Sequence, residues 1–198
     1  AMSQIPDGIP EHVLNWMRAR ARERGPVPMP DRIFRQAKGY HECALRCMEL
    51  RGEGQTFLFQ PSLVLLAFAI ELYIKGLLAV EERSTRGHNH VALFSELSNE
   101  RRAEVSRIYQ KRYQGRNLSD DLPSYSELFT QERYAYEIDG ERSHDMCGIA
   151  QFASALYDTW WKLRPDLVTS GLAHDRMSAP VQGVPIIGES GFQNSDGR

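Results

Sequence analysis

Segment 63–80 constrains the fold of this chain more than any other part of the sequence. Fifteen of its eighteen positions are apolar, and the exceptions are Glu71, Lys75 and Gly76. The length would suffice for a membrane span, but each of the two charges near its centre would cost a few kcal/mol on insertion. We therefore expect residues 61–83 to form a buried central helix and not to cross a membrane.

Helical periodicity recurs on both sides of this segment. Residues 31–51 and 145–163 carry apolar side chains three and four positions apart, behind the N-cap candidates Asp31 and Asp145. No stretch alternates apolar and polar residues convincingly enough to indicate a strand. The sequence therefore predicts an all-α fold.

Polar residues mark the boundaries of further helices in the second half. Ser98 is predicted to cap a helix that ends near Gly115. Residues 114–121 are predicted to be a loop because glycine, asparagine and aspartate cluster there. Ser124 and Glu127 have the spacing of a capping box, which indicates the start of another helix.

Proline and glycine divide the chain into three parts. Three alternating prolines in residues 25–30 favour extended backbone, so we interpret residues 1–30 as an N-terminal helical arm with a linker. Residues 31–165 are predicted to form the helical bundle. Residues 166–198 are rich in glycine, serine and proline and are predicted to be a flexible tail.

The overall composition is that of an ordinary globular protein. Twenty-four Lys and Arg residues against 26 Asp and Glu leave a net charge of −2, so a chain-wide basic field for nucleic acid is excluded. Three cysteines, an odd number, argue against a disulfide-stapled secreted domain. The first residues do not resemble a signal peptide, and a cytoplasmic location is expected. No cofactor or metal is predicted.

The strongest site candidates lie on the central helix and in the loop after it. Glu71 and Lys75 are four residues apart and so share one helix face, where they can pair. Arg83 and His88 follow, and an imidazole beside a guanidinium is sufficient equipment for metal-independent RNA cleavage. His90 completes the candidate set in this loop. The alternative is a purely structural polar clasp.

Two further groups of polar residues are binding candidates. The first has six basic residues interleaved with tyrosines, which suits phosphate contacts and base stacking, although such a run is usually a solvated helix face. Its basic members are Arg101, Arg102, Arg107, Lys111, Arg112 and Arg116. The second group precedes the last helix and consists of Arg133, Tyr136, Glu137, Arg142 and His144. We expect Arg133, Tyr136 and Glu137 to join Glu71, Lys75 and His88 in one polar network.

Three strings in the sequence resemble the HEPN (higher eukaryotes and prokaryotes nucleotide-binding) domains. They are AIELYIKGLLAV in the central helix, GHNHVALFSEL after it, and ERYAYE before the last helix. Bacterial HEPN domains carry similar strings in the same order, and the resemblance covers roughly residues 31–163.

The resemblance implies a helical bundle that forms a homodimer. It also implies a superfamily of ribonucleases from toxin–antitoxin and phage-defence systems, with non-catalytic relatives that bind nucleotides, RNA or proteins. Active members carry an arginine and a histidine separated by four to six residues near the start of the last core helix. Arg142 and His144 stand there with one residue between them, and only Arg83 and His88 have the required spacing.

Three functions therefore stay open at the level of the sequence. The leading hypothesis is a HEPN-like bundle that binds nucleotide or RNA in a bacterial stress, toxin–antitoxin or defence context. The second is a metal-independent endoribonuclease that uses an Arg/His pair, with His88 or His144 as the base. The third is a non-catalytic module that contacts a cognate antitoxin or another protein.

Overall fold

The computed structural model describes residues 10–15, 28–49, 58–126, 145–167 and 177, and within these ranges the protein is helical with no strand. This confirms the predicted all-α class. Residues 11–15 are helical. The longer elements are α1 (Met29–Met48), α2 (Phe59–Val80), α3 (His90–Ser95), α4 (Asn99–Arg112), α5 (Leu118–Ser126), α6 (Met146–Leu163) and a 3₁₀ turn (Pro165–Leu167).

Helix α2 is the central element, as the sequence predicts. It packs against α1 on one side and α6 on another, and twelve of its 22 residues are buried. By length and composition alone α2 would also pass as a membrane span, with a mean hydropathy of 2.2 over its most apolar window. That window is 61% buried inside the bundle, as expected for a core helix.

A glycine allows α6 to approach α2 closely. A Cβ atom at Gly76 would lie 2.6 Å from Cζ2 of Trp160. The indole Nε1–H of Trp160 donates a hydrogen bond of 3.1 Å to the backbone carbonyl of Tyr73. Phe34 from α1 packs on the same indole with 4.9 Å between ring centroids, so three helices meet at this point. Gly76 therefore gives α6 the room to reach the backbone of α2.

The first helix of the bundle begins earlier than predicted. The sequence predicts a linker through Pro30 with Asp31 as the N-cap, but α1 begins at Met29 and its N-cap is Pro28. The first turn of a helix has no partners for its N–H groups, so a proline there costs nothing. Asp31 is buried inside this turn and accepts two hydrogen bonds from Arg164, at 2.9 and 3.2 Å.

The prediction of a loop at 114–121 is wrong in its second half, because α5 begins at Leu118. Ser124, which was predicted to start a later helix, lies inside α5. Asn117 organises this start, since its side-chain oxygen accepts from the N–H of Ser119 and its carbonyl accepts from Asp120. The polar composition of this stretch is therefore that of a helix N-terminus. Glu127, the second half of the predicted capping box, lies outside the described residues.

The other predicted caps are confirmed. The side chain of Ser98 accepts from the N–H of Arg101 at the start of α4, and Asp145 accepts from Gly148 at the start of α6. Two residues of the predicted tail pack on the bundle, because Leu167 and Met177 are both buried. The other tail residues beyond Leu167 lie outside the described residues, as do most residues of the N-terminal arm.

A neutral histidine is enclosed in the aromatic core. The ring of His41 is fully buried between Tyr73 and Tyr157, with its Nδ1 3.4 Å from the Tyr73 hydroxyl. Burial, together with the smaller effect of the nearby cations Arg112 and Lys38, lowers the pKa of His41 to about 3. Burial also lowers the pKa of His90. Both groups resist protonation only while the protein is folded.

Acid should therefore destabilise the fold through His41. Its pKa is about 3 in the folded protein against an ordinary value of 6.5, so the unfolded chain binds the extra proton. The contribution of His41 to the free energy of unfolding is fully present above about pH 6.5. It is lost as the pH falls towards 3, at up to about 1.4 kcal/mol per pH unit. Urea titrations at several pH values between about 7 and 5 give the free energy of unfolding. This free energy should change less steeply with pH in the His41→Phe variant. The same pH dependence of the free energy of unfolding in that variant would show that His41 is not its source.

Candidate functional site

A tight turn directs the chain back over α2 after the helix ends. Glu82 adopts a positive φ of 56°, and the N–H of Arg83 donates to the carbonyl of Leu78 at 2.8 Å. This left-handed turn closes the helix C-terminus. Asn89 then caps the short helix α3 by accepting from the N–H of Ala92 at 2.9 Å. The loop between Glu82 and Asn89 is therefore anchored at both ends.

Glu81, the C-cap of α2, connects the end of this helix to the start of α4. Its carboxylate accepts from both the N–H and the hydroxyl of Ser98, at 2.9 and 2.7 Å, and lies 3.7 Å from the guanidinium of Arg101. The guanidinium of Arg83 lies 3.4 Å from Glu81 and donates to the carbonyl of Glu96. These contacts connect the start of the loop to the chain between α3 and α4.

Three of the predicted site residues meet on the surface of α2. Oε1 of Glu71 accepts from the ammonium group of Lys75 at 2.8 Å and lies 3.0 Å from Nδ1 of His88. The exposed fraction of the side chain is 7% for Glu71, 15% for Lys75 and 78% for His88. The expected contact between the helical pair and the loop histidine is therefore present. We call these three residues the Glu–Lys–His triad.

The hydrogen bond to Glu71 determines which nitrogen of His88 is free to react. A carboxylate paired with an ammonium group can only accept, so Nδ1 of His88 must carry the proton. In the neutral imidazole the lone pair is then on Nε2, on a ring that is mostly in solvent. A buried carboxylate that orients an imidazole in this way favours proton transfer at Nε2.

His90 lies behind the triad as part of the core. Its side chain is fully buried, and Nδ1 donates to the carbonyl of Tyr125 at 3.1 Å. Burial lowers the pKa of His90, although the Glu71 carboxylate opposes this shift. A neutral, enclosed ring cannot contact a ligand. His90 is therefore a core residue and not the ligand-binding residue that the sequence predicts.

The predicted catalytic partner Arg83 has other contacts. Its guanidinium is engaged by Glu81 and by the carbonyl of Glu96. Arg86 is exposed, as Arg83 is, and lies two positions before His88. Of the loop arginines, Arg86 is therefore better placed than Arg83 to contact an anion beside His88.

The six predicted RNA-binding cations do not form one continuous surface. Arg101 donates to Glu104, and Arg102 donates to Asn99 and to the carbonyl of Ser95. The side chains at the start of α4 are therefore committed to contacts within the bundle.

At the end of α4, Arg112 pairs with Asp158, and Arg116 beyond the helix pairs with Asp121. The two exposed cations of α4 are Arg107 and Lys111, which are four residues apart. By helical spacing the acids at positions 100 and 104 share that outward side, so its charge is mixed.

The second predicted group lies outside the described residues. Its members are Arg133, Tyr136, Glu137, Arg142 and His144. The expected meeting of Arg133, Tyr136 and Glu137 with the Glu–Lys–His triad therefore stays a prediction.

Sequence reasoning missed a tyrosine–carboxylate cluster at the start of α6. The hydroxyl of Tyr109 donates to Asp121 at 2.8 Å and lies 3.0 Å from that of Tyr125, which in turn donates to Asp145 at 3.4 Å. Burial raises the pKa of Tyr109 and of Tyr125 well above the usual value. The sequence signal for this cluster was the spacing of Asp121 and Tyr125, which are four positions apart and share one face of a helix. The interpretation of 114–121 as a loop hid that signal.

This cluster also requires a glycine in the first turn of α6. A Cβ atom at Gly148 would collide with the Tyr125 hydroxyl and the Asp145 carboxylate. All polar atoms named in the cluster have partners, and Arg116 closes it by pairing with Asp121 beside Asp145. Its arrangement is that of a structural clasp between α4, α5 and α6.

The comparisons with known proteins neither support nor oppose the HEPN resemblance. No protein-family model matches the chain, and neither does any curated protein or solved structure. Within the described ranges, no group of three or more His, Cys, Asp or Glu residues could hold a metal ion. The triad is therefore the strongest candidate site by its geometry alone.

The burial of the triad predicts an unequal effect of its members on stability. Lys75→Met removes the ammonium group from a buried carboxylate, and we expect it to lower the free energy of unfolding by about 1–3 kcal/mol. A Glu71→Leu/Lys75→Met double variant should lose less, because no charge is left buried. Urea denaturation measures both.

His88→Gln is the control for a structural clasp at this position. Because the side chain of His88 is 78% exposed, its replacement should change the free energy of unfolding by less than about 0.5 kcal/mol. A loss as large as that of Lys75→Met would assign His88 to a structural clasp instead.

Proposed function

We propose that this chain is a HEPN-like helical-bundle protein that binds the phosphate groups of RNA or a nucleotide beside His88. The observation that carries the proposal is the exposed imidazole of His88, held through Nδ1 by the buried carboxylate of Glu71. A surface loop does not need a buried, charge-balanced carboxylate to hold one exposed imidazole. The arrangement therefore favours a binding role for His88. The HEPN resemblance supplies the ligand class.

The charges around His88 suit a phosphate. Lys75 offsets the charge of Glu71, so the carboxylate does not repel an anion as an unpaired one would. Arg86 adds an exposed guanidinium in the same loop, and guanidinium groups bind phosphate through two parallel hydrogen bonds. Because α4 carries acids beside its exposed cations, we favour the His88 loop over α4 as the contact surface.

Binding of a labelled single-stranded RNA and of labelled ATP, followed by fluorescence anisotropy, tests this proposal. Affinity should fall with added salt, and Arg86→Ala or His88→Ala should weaken it by about tenfold. The matched control is Arg107→Glu/Lys111→Glu on the outer side of α4, which should have a smaller effect.

Two results would overturn the proposed site. If only the α4 control weakens binding, the nucleic acid contacts the basic helix and not the loop. If neither RNA nor ATP binds at low salt, the protein-interaction function, with an antitoxin or another protein as the ligand, replaces the proposal.

A metal-independent endoribonuclease is the second candidate, and the orientation of His88 favours it. Nε2 can take the proton from a ribose 2′-hydroxyl while the 2′-oxygen attacks the adjacent phosphorus. The bond to the 5′-oxygen then breaks, and that oxygen gains a proton from water. The products are a 2′,3′-cyclic phosphate and a free 5′-hydroxyl, and Glu71 acts as a positioning residue.

Incubation of RNA with the protein in EDTA tests this second function. We expect cleavage that His88→Ala abolishes and that Glu71→Gln lowers by about tenfold or more, with RNA affinity nearly retained in Glu71→Gln. DNA of the same sequence should stay intact because it lacks the 2′-hydroxyl. RNA binding without cleavage would leave binding as the function. Cleavage that persists in His88→Ala would exclude His88 as the base.

A further inference from the structure

Two of the three cysteines lie one turn apart on the outer side of α1. Cys43 is exposed and Cys47 is half-buried, and neither forms a disulfide. The third cysteine, Cys147, is half-buried near the start of α6. Free cysteine is among the residue types that are most often buried. Packing in the core therefore does not account for two thiols on the solvent-facing side of one helix.

Helix geometry brings these two thiols within reach of one metal ion. Residues four positions apart have their Cβ atoms about 5–6 Å from each other. A metal–thiolate bond is about 2.3 Å long, so two sulfur atoms on opposite sides of one ion are about 4.6 Å apart. Helical side chains lean towards the N-terminus, so the thiol of Cys47 leans over the turn that carries Cys43. Rotation about the Cα–Cβ bonds can then bring both sulfur atoms to the required separation.

The surface around the pair is open on the side towards which the thiols lean. Gly39 is one turn before Cys43, and a Cβ atom at Gly39 would meet nothing within 4 Å. The helix itself is fixed beneath the pair, because the carbonyl of Cys47 accepts a hydrogen bond of 3.3 Å from the N–H of Leu58, the N-cap of α2. An ion can therefore enter from solvent without a change in the packing of α1 on α2.

Few oxygen or nitrogen ligands compete for an ion at this position. The neighbouring carboxylate of Glu42 pairs with Arg46 at 2.6 Å and lies 3.9 Å from the ammonium group of Lys38. His41 is enclosed in the core. Among the residues that the structure describes, no third His, Cys, Asp or Glu joins the two thiols in one group. What the described residues offer is two soft sulfur ligands, fewer than the four of a structural zinc site.

We propose that Cys43 and Cys47 form a two-coordinate site for a soft monovalent cation, of which Cu(I) is the first-row example. Thiolates are the ligands that this ion prefers, and two of them in line complete its coordination. Binding releases one proton from each thiol, and two sulfur–copper bonds form with no oxidation or reduction. The resulting complex carries one negative charge, which the solvent around the exposed Cys43 can stabilise.

This site is separate from the Glu–Lys–His triad. Cys47 lies beside Leu58 at the start of α2. Glu71 follows thirteen positions further along the same helix, which is about 20 Å away by the rise of an α-helix. Copper binding therefore does not depend on the proposed function, and His88→Ala should leave it unchanged.

Anaerobic titration of the reduced full chain with Cu(I), in competition with a chromophoric Cu(I) chelator, tests the proposal. The chain should take one Cu(I) from the chelator and gain an ultraviolet band from thiolate-to-copper charge transfer. Cys43→Ser and Cys47→Ser should each lower the affinity by about a hundredfold or more, since a lost ligand costs more than a lost supporting residue. The matched control is Cys147→Ser, which should keep both the affinity and the band.

Several results would overturn the assignment of this site. Binding that Cys43→Ser retains, or that Cys147→Ser abolishes, involves other ligands. One Cu(I) per two chains means that sulfur atoms from two copies share the ion. Zn(II) that displaces Cu(I) at equal concentration indicates a site with more than two ligands. No transfer from the chelator leaves the thiols without the proposed ion. Because Cys43 is exposed, Cys43→Ser should keep the helical circular dichroism of the chain, which separates a loss of copper from a loss of fold.

Discussion

The close approach of α6 to α2 at Gly76 is the contact on which the other packing depends. Without a side chain at this position, the indole of Trp160 reaches the backbone of α2 and donates to the carbonyl of Tyr73. Phe34 then packs on the same indole from α1. A larger residue at position 76 would separate three helices at once, since interiors are packed too tightly to absorb such a change locally.

The candidate site depends on this packing because Glu71 belongs to the same core helix. The helix is held on two sides, so the Glu71 carboxylate has a fixed position near the surface, and it is charge-balanced by Lys75. The left-handed turn at Glu82 and the cap at Asn89 then determine where His88 can lie. A polar pair that is costly in an apolar helix thus serves to orient an exposed imidazole.

Local signals in the sequence were sufficient for several features of the fold. The caps at Ser98 and Asp145, the pairing of Glu71 with Lys75, and the all-α class all depend on residues within four positions of one another. The start of α5 was missed because Asp121 has the local pattern of a loop residue. Its partners Tyr109 and Arg116 come from another helix and from the chain beyond it, which no local pattern shows.

The sequence by itself determined that this chain is helical, which helix is central, and that a carboxylate and an ammonium share one face of that helix, with an imidazole in the loop after it. Helical periodicity and capping carry that information because they act over a few residues. Only the tertiary structure decided that His90 is buried while His88 is exposed, although the two histidines are two positions apart. That difference depends on the turn after α2 and on the Tyr125 carbonyl, which packing brings to His90 from 35 positions along the chain.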